Sequence, residues 1–420
     1  MPSRGLIAAI AEAADGHPNR PLAIYVHVPF CSSKCHFCDW VADIPVGRLR
    51  GDAVARQAYI RALVRQIGYY GPLLTSIGYR PKVMYWGGGT PARLTADEMD
   101  AIATALGDAF DLRALEQWSV ETTPNDLSEA KVAAMRALGV TRVSLGAQSF
   151  SPLQLRRSGR AHTAGQITEA VGLLRSGGIG NFNVDLISSF PGEDLATFGA
   201  TLDAALALDP PHISVYPYRA TPKTVMAMQL ERNELTGHTP GRMIEAYELA
   251  MATLRQAGYY EYCHGYWVRR PEHEDKDGNY KYDLAGDKFG FGSGAESIIG
   301  HYLLWNENSK YDQYITGPCD FTFSRQFSLA EPELLTAPIG GALMTREGVV
   351  YERFQRLTGL SFRDVRNTPY MQRWLEILGE CGARYVETSS SFRMEAQTIH
   401  QAYIKHLAYT MSAGLEISRA

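Results

Sequence analysis

Six short runs rich in β-branched and aromatic residues recur along the first half of the chain, with stretches of helical periodicity between them. They are LAIYVHV (22–28), KVMYW (82–86), QWSVET (117–122), RVSLGA (142–147), NFNVDLI (181–187) and HISVYPY (212–218). Parallel strands need a long crossover, usually helical, so this alternation predicts repeated βα units around a parallel sheet. Between the first two runs, Ile60, Leu63, Val64 and Ile67 form one buried helical stripe. Further helices are predicted near 96–109, 128–138, 163–176 and 195–208. Six βα units are two short of a closed eightfold barrel. The expected fold is therefore α/β, a partial (β/α)6 TIM-like barrel open on one side, where a large substrate can enter.

After Tyr218 the rhythm changes. A helical stretch (240–257) leads into aromatic, charged and glycine-rich segments over 258–300, expected to continue the sheet or cover its open side. From about residue 330 a small α/β module is predicted, with Met371, Trp374, Leu375 and Leu378 on one helix stripe and Ile399, Tyr403 and Leu407 on another. A hairpin is expected near ARYVETSSSFRME (383–395). The division is 1–20, an N-terminal segment; 21–220, the partial barrel; 221–329, the barrel extension; and 330–420, the C-terminal domain. A net charge of -4 gives no basic footprint for nucleic acid or an acidic membrane, and no apolar run is long enough for a signal peptide or a bilayer span. The expected location is cytoplasmic.

Three of six cysteines, Cys31, Cys35 and Cys38, cluster in CSSKCHFCDW just past the first strand, on the face where α/β barrels place active sites. Three thiolates can hold three irons of a cubane cluster and leave the fourth open to a ligand. The alternative is zinc, with His36 or His27 as fourth ligand. Cys263, Cys319 and Cys381 are scattered and read as ordinary thiols. Gly87, Gly88 and Gly89 follow a strand and let backbone approach a ligand, although such a turn can also be only a turn. On the first strand, Tyr25 and His27 share one face, inward if Ile24 and Val26 pack against helices. Glu121, Gln148 and Asp185 stand near the ends of later strands, where polar side chains can converge on a ligand.

Cys-x-x-x-Cys-x-aromatic-Cys after a first strand resembles the signature of the radical S-adenosylmethionine superfamily. The longer string YVHVPFCSSKCHFCDW is similar to its HemN-like branch, as are YWGGGTP (85–91), VETTPNDL (120–127), RVSLGAQSF (142–150), SGRAHT (158–163) and NVDLISSFPGED (183–194), in that order. The similarity spans about 21–305, and the terminal module resembles the branch's C-terminal domain. The resemblance implies one [4Fe–4S] cluster on Cys31, Cys35 and Cys38, with S-adenosylmethionine on the open iron as source of a 5'-deoxyadenosyl radical. Carried over by position, Tyr25, Gly88, Glu121 and Glu296 resemble contacts to one S-adenosylmethionine. Phe37, Gly89, Thr90, Gln148, Arg160, Asp185 and Arg219 resemble contacts to a second. Glu296 is also the candidate catalytic group, as a proton acceptor or a cofactor contact.

Asp39-Trp40 stands where the porphyrin oxidase pattern continues to another cysteine, and with both cofactor sets retained this resembles class C methyltransferases of natural-product biosynthesis. The expected reaction is methylation of an sp2 carbon of a heteroaromatic ring, a thiazole in a thiopeptide precursor first, using two S-adenosylmethionine molecules. The expected partners are that heteroaromatic substrate, carried on a modified peptide, and an electron donor such as flavodoxin or ferredoxin, with neither nucleic acid nor membrane. The rivals within the branch are a porphyrinogen oxidase, a heme-degrading radical enzyme and a non-enzymatic heme chaperone. Tyr216, Tyr218 and the aromatics of 262–267 are candidates to line a flat-ring pocket.

Overall fold

The computed structural model describes residues 19–38, 51–300, 302–306, 311–317, 325–328 and 335–395. All six predicted strands form: β1 (Arg20–Val28), β2 (Tyr79–Gly88), β3 (Gln117–Thr122), β4 (Arg142–Gln148), β5 (Phe182–Ser188) and β6 (His212–Pro217). They pair in parallel in chain order. Their crossovers contain the helices Ala53–Ser76, Ala96–Ala109, Glu129–Leu138, Ala164–Ser176 and Leu195–Ala207. All five starts follow from local chemistry. Thr95 and Thr163 close capping boxes with Glu98 and Gln166, while the Asp52, Ser128 and Asp194 side chains accept from backbone N–H groups of the first turn.

The extension continues the sheet on both edges. β7 (Tyr260–Cys263) and β8 (Tyr266–Val268) join antiparallel beyond β6. At the other edge, β9 (Asp287–Phe291) is a seventh parallel strand, beside β1, and β10 (Glu296–Ile299), β11 (Tyr302–Trp305) and β12 (Arg325–Ser328) follow antiparallel. The order is β12-β11-β10-β9-β1-β2-β3-β4-β5-β6-β8-β7. β9 escapes detection because two of its neighbours in sequence are glycine turns at positive φ, Gly292 and Gly294, which hide a strand among loop residues.

One apolar core lies between sheet and helices and includes Ile24, Val26, Ile60, Leu63, Ile67, Trp86 and Val184. A second gathers Leu284, Leu335, Phe354, Met371, Trp374 and Leu378 with Phe392 of a three-stranded sheet, β13 (Val349–Val350), β15 (Ser391–Met394) and β14 (Tyr385–Glu387). The hairpin near 383–395 is thus β14–β15. The predicted stripe Ile399, Tyr403 and Leu407 lies outside the described residues, as do Asp39, Trp40 and Cys319. Among the described residues no helix is long and apolar enough to cross a membrane.

Candidate functional site

The cysteine loop leaves the C-terminal end of β1 and is tied down by turns from four other strands. Gly89 and Thr90, after β2, donate backbone N–H bonds to the carbonyls of Val28 (2.9 Å) and Phe30 (2.7 Å). After β3, Asn125 donates to the Ser32 hydroxyl (3.0 Å), which donates to Asp126 (3.1 Å). After β4, the Ser158 carbonyl accepts from His36 N (2.9 Å), and after β6 Met226 N donates to the His36 carbonyl (2.9 Å). All three thiols keep partial access to solvent. The Cys35 sulfur accepts from Arg160 Nη1 at 3.1 Å, and Cys31 from the Thr90 hydroxyl at 3.7 Å. Burial pushes the Cys31 thiol up to about 12, only partly offset by Thr90. It therefore holds its proton until a soft cation displaces it.

Accessibility along the strands outlines a recess inside the partial barrel. Glu121 is the one partly accessible residue of β3, Asp185 the one of β5 and Gln148 the one of β4, each among buried neighbours. Tyr25 and Tyr85 face the same space from β1 and β2, Tyr266 from β8, and Tyr216, at the end of β6, keeps 36% exposure. Their phenols are nonetheless pushed upward by loss of hydration. Groups that keep surface while ringed by protein line a chamber rather than the outer face. Glu296, exposed at the start of β10, behaves likewise: burial raises its carboxyl, and Lys281 and Lys288 oppose the rise.

Glu121 is the centre of one constellation. It accepts from the Tyr85 hydroxyl (2.8 Å) and from Gly88 N (3.1 Å), and burial raises its carboxyl to about 7. Gly88 adopts φ 101°, and a Cβ there would overlap the His27 ring. At Gly87 a Cβ would come 2.9 Å from the Tyr85 ring and 3.0 Å from Glu121, so the turn is open only to glycine. Asp185 anchors a second set. It accepts from Ser144 (2.9 Å) and Asn183 (2.7 Å). Asn183 also accepts from Ser214 (3.0 Å) and His212 Nδ1 (2.6 Å), and His212 Nε2 accepts from the Tyr262 hydroxyl (2.9 Å). This network orients Asp185 from the base of the barrel.

The remaining candidates are spread more widely. Gln148 sits at φ 69° beside Gly146, where β4 breaks register. Phe37 packs edge-on against Phe190 (5.7 Å) in an apolar cluster with Tyr218 and Met226, and Arg219 is exposed just past β6. Tyr85, Asn183 and Lys288 escaped the sequence reading. Tyr85 and Asn183 each lie two residues from a residue singled out there, so strand period two is the signal that could have found them.

The family model for the radical SAM superfamily matches residues 25–205. The heme chaperone HemW of Mycobacterium tuberculosis (strain CDC 1551 / Oshkosh) is 32% identical over 69% of this chain and 72% of its own length. The chain belongs to the radical SAM superfamily. The HemW of Lactococcus lactis subsp. lactis (strain IL1403) is 27% identical over 82% of this chain and 86% of its own. Within the superfamily the chain falls in the HemN-like branch. The solved Escherichia coli coproporphyrinogen III oxidase HemN shares the fold at TM-score 0.75, covering 96% of this chain and 93% of its own at 22% identity.

These relatives correct the expected function. The curated relatives carry heme chaperone and coproporphyrinogen III oxidase names, so class C methylation of a thiazole or another heteroaromatic ring is not the reading they support. The physical reason is that Asp39 flanks the cluster loop, whereas chamber walls choose a substrate.

Membership of the radical SAM superfamily implies a [4Fe–4S] cluster and S-adenosylmethionine, and the residues present fit both. Three thiols at the mouth of a radical SAM barrel suit iron–sulfur ligation. For the zinc alternative, no fourth ligand stands with the three cysteines among the described residues. The His27 ring is buried under Gly88 with Nδ1 bonded to the Tyr25 hydroxyl (3.2 Å), and the His36 ring lies with its Nε2 side against Gly159 and its Nδ1 bonded to the Arg157 carbonyl (2.8 Å). Cys31, Cys35 and Cys38 would hold the cluster, and the Gly88 turn with Glu121 would receive the ammonium end of S-adenosylmethionine. When bound, the pair supplies one-electron chemistry.

Proposed function

We propose that this protein is a heme chaperone that holds heme in the barrel chamber beside a [4Fe–4S] cluster and S-adenosylmethionine. The observation that carries this reading is the tyrosine wall at the end of β6. Tyr216 meets Tyr266 edge-on (5.8 Å), and Tyr266 in turn meets Tyr262 (5.9 Å) and Tyr282 (6.2 Å). Tyr216 and Tyr266 keep accessible aromatic surface with Tyr262 and Tyr282 buried behind them, and such a wall suits a flat macrocycle. The heme chaperone names of its relatives support the same choice. Gln148, Arg160 and Asp185 are proposed to hold a second S-adenosylmethionine, and flavodoxin or ferredoxin is the proposed donor.

Anaerobic titration of the reconstituted protein with heme, followed by visible absorbance, tests the reading. Saturation near one heme per chain is expected, with transfer to an apo-hemoprotein and little 5'-deoxyadenosine. No stoichiometric heme binding, or decarboxylation of coproporphyrinogen III with matched 5'-deoxyadenosine, would overturn it and favour the oxidase. Equilibrium dialysis reads the stoichiometry of S-adenosylmethionine, two per chain being expected.

A further inference from the structure

The resemblance places Arg160 against a cofactor, but its closest partner in the fold is a cysteine. Arg160 follows the helix Pro152–Arg157, and its backbone N–H returns to the Leu155 carbonyl (2.9 Å). One end of its guanidinium, Nη2, donates to the Gly146 carbonyl of β4, and Nη1 donates to the Cys35 sulfur at 3.1 Å. Nε is buried and has no hydrogen-bond partner among the described residues. Gly159, the residue before Arg160, sits at φ 70° and so close to the His36 ring that a Cβ would strike it, which lets this turn pack against the cysteine loop.

We propose that Arg160 is a positioning residue that raises the reduction potential of the cluster through the Cys35 sulfur. The effect is electrostatic. A guanidinium keeps its charge at any accessible pH, and charge-assisted N–H···S bonds stabilise the reduced cluster, which carries one more negative charge. Thr90 offers Cys31 only a neutral hydroxyl at longer range. Of these two corners, the one at Cys35 is the more strongly stabilised. The planar fork matters as well as the charge, because it spans the Gly146 carbonyl and Cys35 at once.

The test is the midpoint potential of the reconstituted full-length protein, measured by mediated titration with electron paramagnetic resonance and without S-adenosylmethionine, so that cofactor contacts do not enter. Arg160→Gln is expected to retain iron and to shift the one-electron reduction equilibrium at least tenfold toward the oxidised cluster, about 59 mV. Arg160→Lys, which keeps charge but loses the fork, is expected between the two. Wild-type potential in Arg160→Gln at full iron content would overturn the proposal. If that variant loses iron, wild-type protein labelled with 15N-arginine decides the matter. A 15N hyperfine coupling to the reduced cluster is expected, and its absence overturns the proposal. The inference rests on the three-cysteine ligand set, which iron analysis of Cys35→Ala tests separately.

Discussion

Glu121→Gln should remove a pH dependence from the stability of this protein. The Glu121 carboxyl has an ordinary value of 4.5 and is raised to about 7, chiefly by burial and only partly opposed by the Tyr85 and Gly88 hydrogen bonds. The folded state thus binds the proton more tightly than the unfolded chain. Its contribution is fully present below about pH 4.5 and is lost as pH rises through about 7. At about 1.4 kcal/mol per pH unit, that displacement amounts to about 3 kcal/mol. Gln keeps the shape and can accept from Tyr85 but does not titrate. Anaerobic denaturant unfolding of both proteins between about pH 5.5 and 8.5 should show wild type losing stability relative to Glu121→Gln as pH rises. A difference that stays constant within about 0.5 kcal/mol would refute the reasoning. A cationic ammonium at Glu121 favours the carboxylate, so S-adenosylmethionine should bind wild type more tightly as pH rises through about 7 and should release a proton on binding. Calorimetry in buffers of different ionisation enthalpy reads that proton.

Other outcomes follow from the same geometry. Cys35→Ala should lose most bound iron while far-ultraviolet circular dichroism stays unchanged, because Cys35 itself is not part of the sheet–helix core; full iron content would contradict the ligand assignment. Gly88→Ala should destabilise the fold by roughly 2–6 kcal/mol, from strain at positive φ and overlap with the buried His27 ring. Gly107→Ala, in an open position on the helix Ala96–Ala109, is the control and should be neutral or slightly stabilising in the same thermal melts. His212→Ala should cost about 2–5 kcal/mol in denaturant unfolding, since Asn183 and Tyr262 both lose a buried partner. Tyr216→Ala should weaken heme binding in the absorbance titration without loss of iron.

Much of the barrel was legible because period-two strands and period-3.6 helices leave their mark on neighbouring residues. QWSVET coincides with β3, and the Ile60–Ile67 stripe lies on Ala53–Ser76. The cluster cysteines were legible for a similar reason, since three thiols within eight residues form one local motif. β9 was not, because its place beside β1 depends on pairing across more than 250 residues and its neighbouring glycines read as loop. Nor could sequence spacing show that Arg160 reaches Cys35, that Glu121 joins Tyr85 and Gly88, or that Asn183 and His212 brace Asp185. Those contacts come from turns and strands brought together only when the sheet curves.

By itself the amino-acid sequence determined the βα repeat, the cysteine loop and the family, all of which are written in local order. Tertiary structure alone decided which polar side chains share the chamber, how far burial moves Glu121, and which sulfur the Arg160 charge meets. Hydration and Coulomb energies depend on distance through space, and residues far apart in the chain acquire those distances only on folding.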